Sequence, residues 1–200
     1  MLALPPAPAP VRPRTLLVAT ALASVGAMAL VGGMLAVYTH LRDAAGGSSA
    51  AWLPGDVIIP EIATNIMLIT MVFASFTVQW AYWAISRNDR RHTYIALALT
   101  AIFGLAVLNS QIYVYQQLAL PVNGAGDADA SRYAVLVYAV TGTFVALLVA
   151  GIVFASVMAF RTLGGRYSAR DNEGLAATAL YWHVLTAVFT AVWFVVYVVK

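Results

Sequence analysis

The chain of 200 residues has no cysteine and few charged side chains. Without thiols it cannot form disulfides, thiolate metal sites or a cysteine nucleophile. Charged residues make up 10% of the chain, whereas soluble domains carry about 25%. The mean hydropathy is +0.83. The longest polar interval, around 42–60, is too short to bury a core of its own. We therefore expect one membrane domain and no separate soluble domain.

Five long apolar runs dominate the sequence. Each exceeds the roughly 20 residues that a helix needs to cross a bilayer core. A transmembrane barrel would instead need segments of about ten residues with strict apolar and polar alternation. The sequence thus predicts an all-α integral membrane bundle of five transmembrane helices. The predicted spans are about 16–40, 61–86, 93–119, 133–160 and 175–199. Residues 1–15, with five prolines, are predicted to form a Pro-rich cytoplasmic tail ahead of a transmembrane domain, 16–200.

Arginines alternate from one gap between the runs to the next, which predicts the orientation. Positively charged residues are retained on the cytoplasmic side of a membrane. The arginine-rich segments are the tail (Arg12, Arg14), the second gap (Arg87, Arg90, Arg91) and the fourth gap (Arg161, Arg166, Arg170). We therefore expect a cytoplasmic amino terminus and an outer carboxy terminus. The net charge of +3 is dispersed over helix ends, so it does not indicate nucleic-acid binding.

Ionisable residues within the spans are scarce, and His183 is the one we expect well inside a helix. A haem or copper site needs several ligands at one depth, but His40, His92 and His183 fall at separate places. We therefore expect no cofactor or metal bound directly by this chain and no catalytic residues. For His183 we favour a neutral imidazole that bonds to a neighbouring helix.

Small and polar residues indicate how the helices pack. Gly142, Ala146 and Ala150 recur every four residues on the fourth helix, which suits either a compact bundle or docking to a larger neighbour. Gln111 lies in the polar outer half of the third helix and is expected to form interhelical hydrogen bonds, as are Asn65 and Gln79 on the second helix. Nearby Tyr113 belongs to the aromatic belt at the membrane surface.

Several short motifs resemble subunit III of haem-copper cytochrome c oxidases. The family's last helix opens with YWHFVD, and this chain has Tyr181, Trp182 and His183 followed by valine. Further similar segments are Gly33 to Tyr38, Ser75-Phe76-Thr77 with Gln79, and Gln111 with Tyr113-Val114-Tyr115. Length and helix count resemble the short five-helix bacterial form. The family's ionisable residues are replaced, as by Ala27, Val114 and Thr186.

The resemblance implies a non-catalytic subunit of a respiratory terminal oxidase in the bacterial inner membrane. Haem and copper would then lie in partner subunits of the electron-transport complex. This chain would stabilise the catalytic subunit and hold structural phospholipid. The alternative is a stand-alone small membrane carrier or an oxidase assembly factor on the same scaffold. A carrier is expected to have a polar midplane cavity and a broken helix, and the sequence indicates neither.

Overall fold

A computed structural model describes residues 13–48, 52–53, 57–120 and 128–200 of the chain, with side chains from Arg132 onward in the last range. Most of the predicted Pro-rich tail, 1–15, lies outside the described residues. Within these ranges lie five long helices: α1 (Thr15–Ala44), α2 (Glu61–Ser86), α3 (Arg90–Leu118), α4 (Ala128–Leu163) and α5 (Glu173–Val192, which continues as a π-helix over Trp193–Val199). All five are long and apolar enough to cross a membrane, which confirms the predicted five-helix bundle.

The helices extend beyond several of the predicted spans. α1 runs four residues further, to Ala44, and α4 begins and ends outside the predicted 133–160. α3 begins at Arg90 rather than at 93 because Asp89 caps its first turn, where the carboxylate accepts a hydrogen bond of 3.1 Å from the His92 backbone amide. Hydrogen bonds from the His92 amide and ring lower the pKa of Asp89 below its usual value, since they favour the charged carboxylate.

The arginine-rich loops meet at one end of the bundle. The backbone amide of Ala169, in the loop before α5, donates to Asn88 Oδ1 in the α2–α3 turn, at 2.8 Å. At the same end the Leu17 amide donates to Glu173 Oε1, at 3.0 Å. At the opposite end, Arg42 of α1 donates to the carbonyl oxygen of Lys200 at 2.5 Å. The helices therefore alternate in direction, as the arginine pattern predicts.

α5 lies against the other helices and supplies much of the buried core. It packs on α1, α2 and α4, while α2 packs along α3 and α3 along α4. Trp182 and Phe189 of α5 are fully buried. The ring of Phe189 lies 4.6 Å from that of Phe144 on α4, measured between centroids. Aromatic pairs in contact at such a distance add about 0.5–1.5 kcal/mol to the burial of their area.

Two glycines allow α5 to approach its neighbours closely. A side chain at Gly104 of α3 would lie only 2.8 Å from Trp182 and 2.7 Å from Ile152 of α4. A side chain at Gly151 of α4 would meet the Tyr181 ring at 3.0 Å. Three helices thus converge at the Trp182 indole, and the missing side chain at Gly104 is what makes room for it.

Replacing Gly104 tests this contact. We expect Gly104→Ala to destabilise the chain by about 1–3 kcal/mol, the usual cost of inserting a methyl group into a packed core. The measurement is the unfolding midpoint of the purified chain in mild detergent. The matched control is Gly142→Ala, because nothing lies within 4 Å of a side chain built at Gly142. Equal midpoints for the two variants would contradict the close packing of Trp182 on α3.

Candidate functional site

His183 projects from α5 toward α2 and is exposed on the outer surface of the bundle. Its Nε2 atom lies 2.9 Å from Oε1 of Gln79 on α2. The expected bond to a neighbouring helix is therefore present, but the ring does not lie inside the bundle. Sequence spacing alone did not indicate this, because it does not reveal which face of α5 turns outward.

The two residues before His183 contact the other neighbours of α5. The Tyr181 hydroxyl donates to the carbonyl oxygen of Leu147 on α4, at 2.7 Å. Trp182 is fully buried and lies against Gly104. Successive residues of a helix are rotated by about 100°, so Tyr181, Trp182 and His183 point to different neighbours. The motif that carries the family resemblance thus contacts α2, α3 and α4 together.

Further polar pairs connect α2 and α5 along their length. Ser75 and Thr186 share a hydrogen bond of 2.8 Å between their hydroxyl groups. Trp193 Nε1 donates to Asn65 Oδ1 at 3.0 Å. We call this row the α2–α5 seam. Its members are Asn65, Ser75, Gln79, His183, Thr186 and Trp193. Beyond the end of the seam that is near the carboxy terminus, Lys200 Nζ lies 2.5 Å from Glu61 Oε1.

Gln111 of α3 is buried against α5, in the half of the bundle that contains the carboxy terminus. Its side-chain amide contacts the Tyr197 hydroxyl, with Nε2 at 3.3 Å and Oε1 at 3.4 Å. The Tyr115 hydroxyl donates to Thr141 Oγ1 of α4 at 2.8 Å. Tyr113, by contrast, is 48% exposed and lines an open groove beside Glu61 and Lys200. Of this predicted pair, Gln111 therefore has a buried contact and Tyr113 lies at the surface.

A buried aromatic cluster at the same end was not foreseen from the sequence. Tyr38, Trp52 and Tyr133 pack edge to face, with ring centroids 5.6 and 5.8 Å apart. The three come from distant parts of the chain, so no local pattern could have indicated their contact. The two hydroxyl groups and the indole nitrogen are buried without a hydrogen-bond partner among the described residues.

The stripe of Gly142, Ala146 and Ala150 faces away from the other helices. Ala146 and Ala150 are exposed and Gly142 is partly exposed, whereas Leu148 is fully buried. The sequence left open whether the stripe packs within a compact bundle or docks to a larger neighbour. Because it faces outward, the stripe does not contribute to packing within this chain. Close approach between α4 and α5 uses the adjacent Gly151 instead.

The described residues contain no group of three or more His, Cys, Asp or Glu side chains that could hold a metal ion. His92 lies at the arginine-rich end, where its ring is 52% exposed and pairs with Asp89. His183 pairs with an amide on the outer surface. These two histidines lie apart, as the sequence spacing indicated, and the side chains around each offer hydrogen bonds rather than a set of metal ligands.

Known proteins that resemble this chain belong to one family. A family model described as cytochrome c oxidase subunit III matches residues 51–200. A probable cytochrome c oxidase subunit 3 of Rickettsia felis is 30% identical over 142 residues, which cover 70% of this chain and 48% of that protein. Cytochrome c oxidase subunit 3 of Thermostichus vulcanus is 24% identical over 175 residues, 84% of this chain and 80% of the relative.

A probable cytochrome c oxidase subunit 3 of Mycobacterium tuberculosis is 23% identical over 171 residues, again 84% of this chain and 80% of the relative. The match to the Rickettsia proteins spans only about half of their length. The family match extends over α2 to α5 and includes the Tyr181-Trp182-His183 motif. The chain belongs to the cytochrome c oxidase subunit III family.

Proposed function

We propose that this chain is a non-catalytic transmembrane subunit of a respiratory haem-copper terminal oxidase and that it stabilises the catalytic subunit. The observation that carries the proposal is the family match over residues 51–200, which includes four of the five helices. Electron transfer then takes place in partner subunits that hold haem and copper. The five spanning helices and the bacterial relatives agree with a multi-pass protein of the bacterial inner membrane.

The site residues fit a structural role. Tyr181, Trp182, His183 and Gln111 each bond to or pack on a different helix, so we assign them to holding α5 in the bundle. Gly142, Ala146 and Ala150 face outward, and we assign this stripe to contact with lipid or a neighbouring subunit. We assign the exposed Tyr113 to the aromatic belt at the outer membrane surface.

The surface of the bundle has a groove that could bind a phospholipid. A groove of about 400 Å³ runs between α1 and α4 and is lined mainly by apolar and small side chains, among them Gly33, Met34 and Val140. Nothing lies within 4 Å of a side chain built at Gly33, so the groove is open along α1. An acyl chain has the shape and the chemistry that such a groove accommodates.

The alternative functions, a carrier or an assembly factor, predict different partners in the membrane. A carrier moves a small molecule without a stable oxidase partner, and an assembly factor leaves the mature complex. Isolation of the chain from its membrane in mild detergent, with a visible spectrum of the eluate, distinguishes the three.

We expect the tagged chain to recover haem-containing subunits in a fixed ratio, with the absorption bands of haem in the eluate. After separation from those subunits, the chain itself should retain no haem and no copper, since its described residues hold no convergent set of metal ligands. Recovery without any haem protein would contradict the oxidase function. Stoichiometric haem or copper on the separated chain would contradict the non-catalytic assignment.

The orientation is a separate proposal, with a cytoplasmic amino terminus and an outer carboxy terminus. It rests on the arginines that gather at one end of the bundle. Reporter fusions after Lys200 and within the loop at Arg87 to Arg91 should give opposite sidedness, with the loop in the cytoplasm. The same sidedness for both fusions would contradict five crossings, and a reversed pattern would overturn the orientation.

The pairing of His183 with Gln79 predicts different results for two substitutions. His183→Gln keeps a donor and an acceptor but cannot titrate, so we expect normal assembly and oxidase turnover. His183→Leu leaves Gln79 without its partner and should weaken assembly by about 0.6–1.7 kcal/mol, the range for interhelical hydrogen bonds in membranes. The measurements are complex yield and turnover per haem. Normal yield with lost turnover in His183→Gln would indicate a proton-transfer role instead.

A further inference from the structure

The α2–α5 seam carries hydrogen-bond donors that its own contacts leave unused. An indole N–H can only donate, so Asn65 Oδ1 is the acceptor for Trp193. Both amide hydrogens of Asn65 therefore have no partner among the described residues. Asn65 is also exposed.

The Gln79–His183 pair leaves a similar surplus whichever way it is protonated. If His183 Nε2 donates to Gln79 Oε1, both amide hydrogens of Gln79 remain. If the amide is reversed and donates to the ring, one amide hydrogen and the ring Nδ1–H remain. No contact of the described residues uses these groups. Either arrangement leaves two N–H donors on the surface of the pair.

These donors lie at membrane depth. With α2 and α5 centred in the bilayer, Gln79 is about 8 Å and His183 about 5 Å from the midplane, at 1.5 Å per residue. Asn65 is about 13 Å from the midplane, on the outer side. The hydrocarbon core extends about 15 Å to each side. Water is absent there, and a donor without an acceptor is costly.

Small residues flank the donors and leave room for another helix. Ala187 and Ala191 follow His183 at intervals of four on α5, and both are exposed. Small side chains at this spacing let a second helix backbone approach closely. Asn109, Gln116 and Gln117 of α3 are further exposed amides, but all three lie on one helix. The seam differs in having donors at two depths on adjoining helices beside a row of alanines.

We infer that the α2–α5 seam docks a transmembrane helix of the catalytic subunit that presents hydrogen-bond acceptors at two depths, about 21 Å apart along α2. The identity of the partner rests on the proposed function. Lipid tails offer no acceptors, and lipid headgroups do not reach the Gln79–His183 pair. A second copy of this chain would present the same unused donors at its own seam and would not supply the acceptors. Serine, threonine or amide side chains, or carbonyl groups freed at a helix break, supply what the seam lacks.

Single cysteines test the docking face, because the chain has none of its own. Ala187→Cys and Ala191→Cys carry a nitroxide spin label, and the measurement is its accessibility to oxygen dissolved in the lipid. The matched control is Leu22→Cys on α1, where the side chain is 70% exposed. Each variant is measured in native membranes and as the full chain separated from its partners. We expect accessibility at the seam to fall several-fold in native membranes and to remain unchanged at Leu22.

The outcomes separate the seam from the proposed function. If oxygen reaches the labels at Ala187 and Ala191 in native membranes while haem subunits still co-purify, the seam is not the docking face, but the proposed function stands. Protection of the seam without co-purifying haem protein overturns the catalytic subunit as the partner. Oxygen access without co-purification overturns both.

A second measurement tests the donor chemistry. The double variant Asn65→Leu with Gln79→Leu should reduce recovery of haem subunits by about threefold for each lost hydrogen bond, the factor that corresponds to the average interhelical bond in membranes. The control is Gln116→Leu, which removes an exposed amide near the outer end of α3. Unchanged recovery in the double variant, with the seam protected in the spin-label experiment, would overturn the role of the donors.

Discussion

Trp182 reaches the surface of α3 only because residue 104 has no side chain. The indole lies where a methyl group at Gly104 would approach it to 2.8 Å, and Ile152 of α4 closes the same space. This contact sets how deeply α5 lies in the bundle. The hydrogen bond from Tyr181 to Leu147 on one side of it and the pairing of His183 with Gln79 on the other depend on that depth. A shift of α5 along its axis by one turn, about 5.4 Å, would break both.

The surrounding lipid explains why so many of these contacts are polar. Apolar side chains gain little by leaving hydrocarbon for a helix surface, so packing and hydrogen bonds determine which helices associate. Ser75 with Thr186 and Thr77 with Thr100 pair hydroxyl groups across helices at 2.8 Å. The hydroxyl groups of Thr77, Thr100 and Thr186 also lie within hydrogen-bond distance of a backbone carbonyl of their own helix. Because these carbonyls compete as acceptors, such pairs are modest in strength and act together.

The sequence alone predicted the number of spanning helices and their alternating direction. Runs of 20 or more apolar residues admit no other secondary structure in lipid, and arginines mark the ends of helices. The family resemblance also followed from local motifs, above all Tyr181-Trp182-His183. The hydrophobic pattern of the sequence did not show how each helix is rotated about its own axis. It therefore did not indicate that Ala146 and Ala150 turn outward, that Gly151 contacts α5, or that Tyr38 and Tyr133 meet at Trp52.

The central place of α5 has a consequence for the order in which the protein is made. Its partners, among them Asn65, Gln79, Gly104 and Leu147, all precede it in the chain. Ribosomes add about 5–20 residues per second, so α1 to α4 enter the membrane seconds before α5 leaves the ribosome. During that interval Asn65, Ser75 and Gln79 of α2 lack the hydrogen-bond partners that α5 supplies. Arrival of α5 then supplies the partners of these residues and the packing of Trp182 against Gly104.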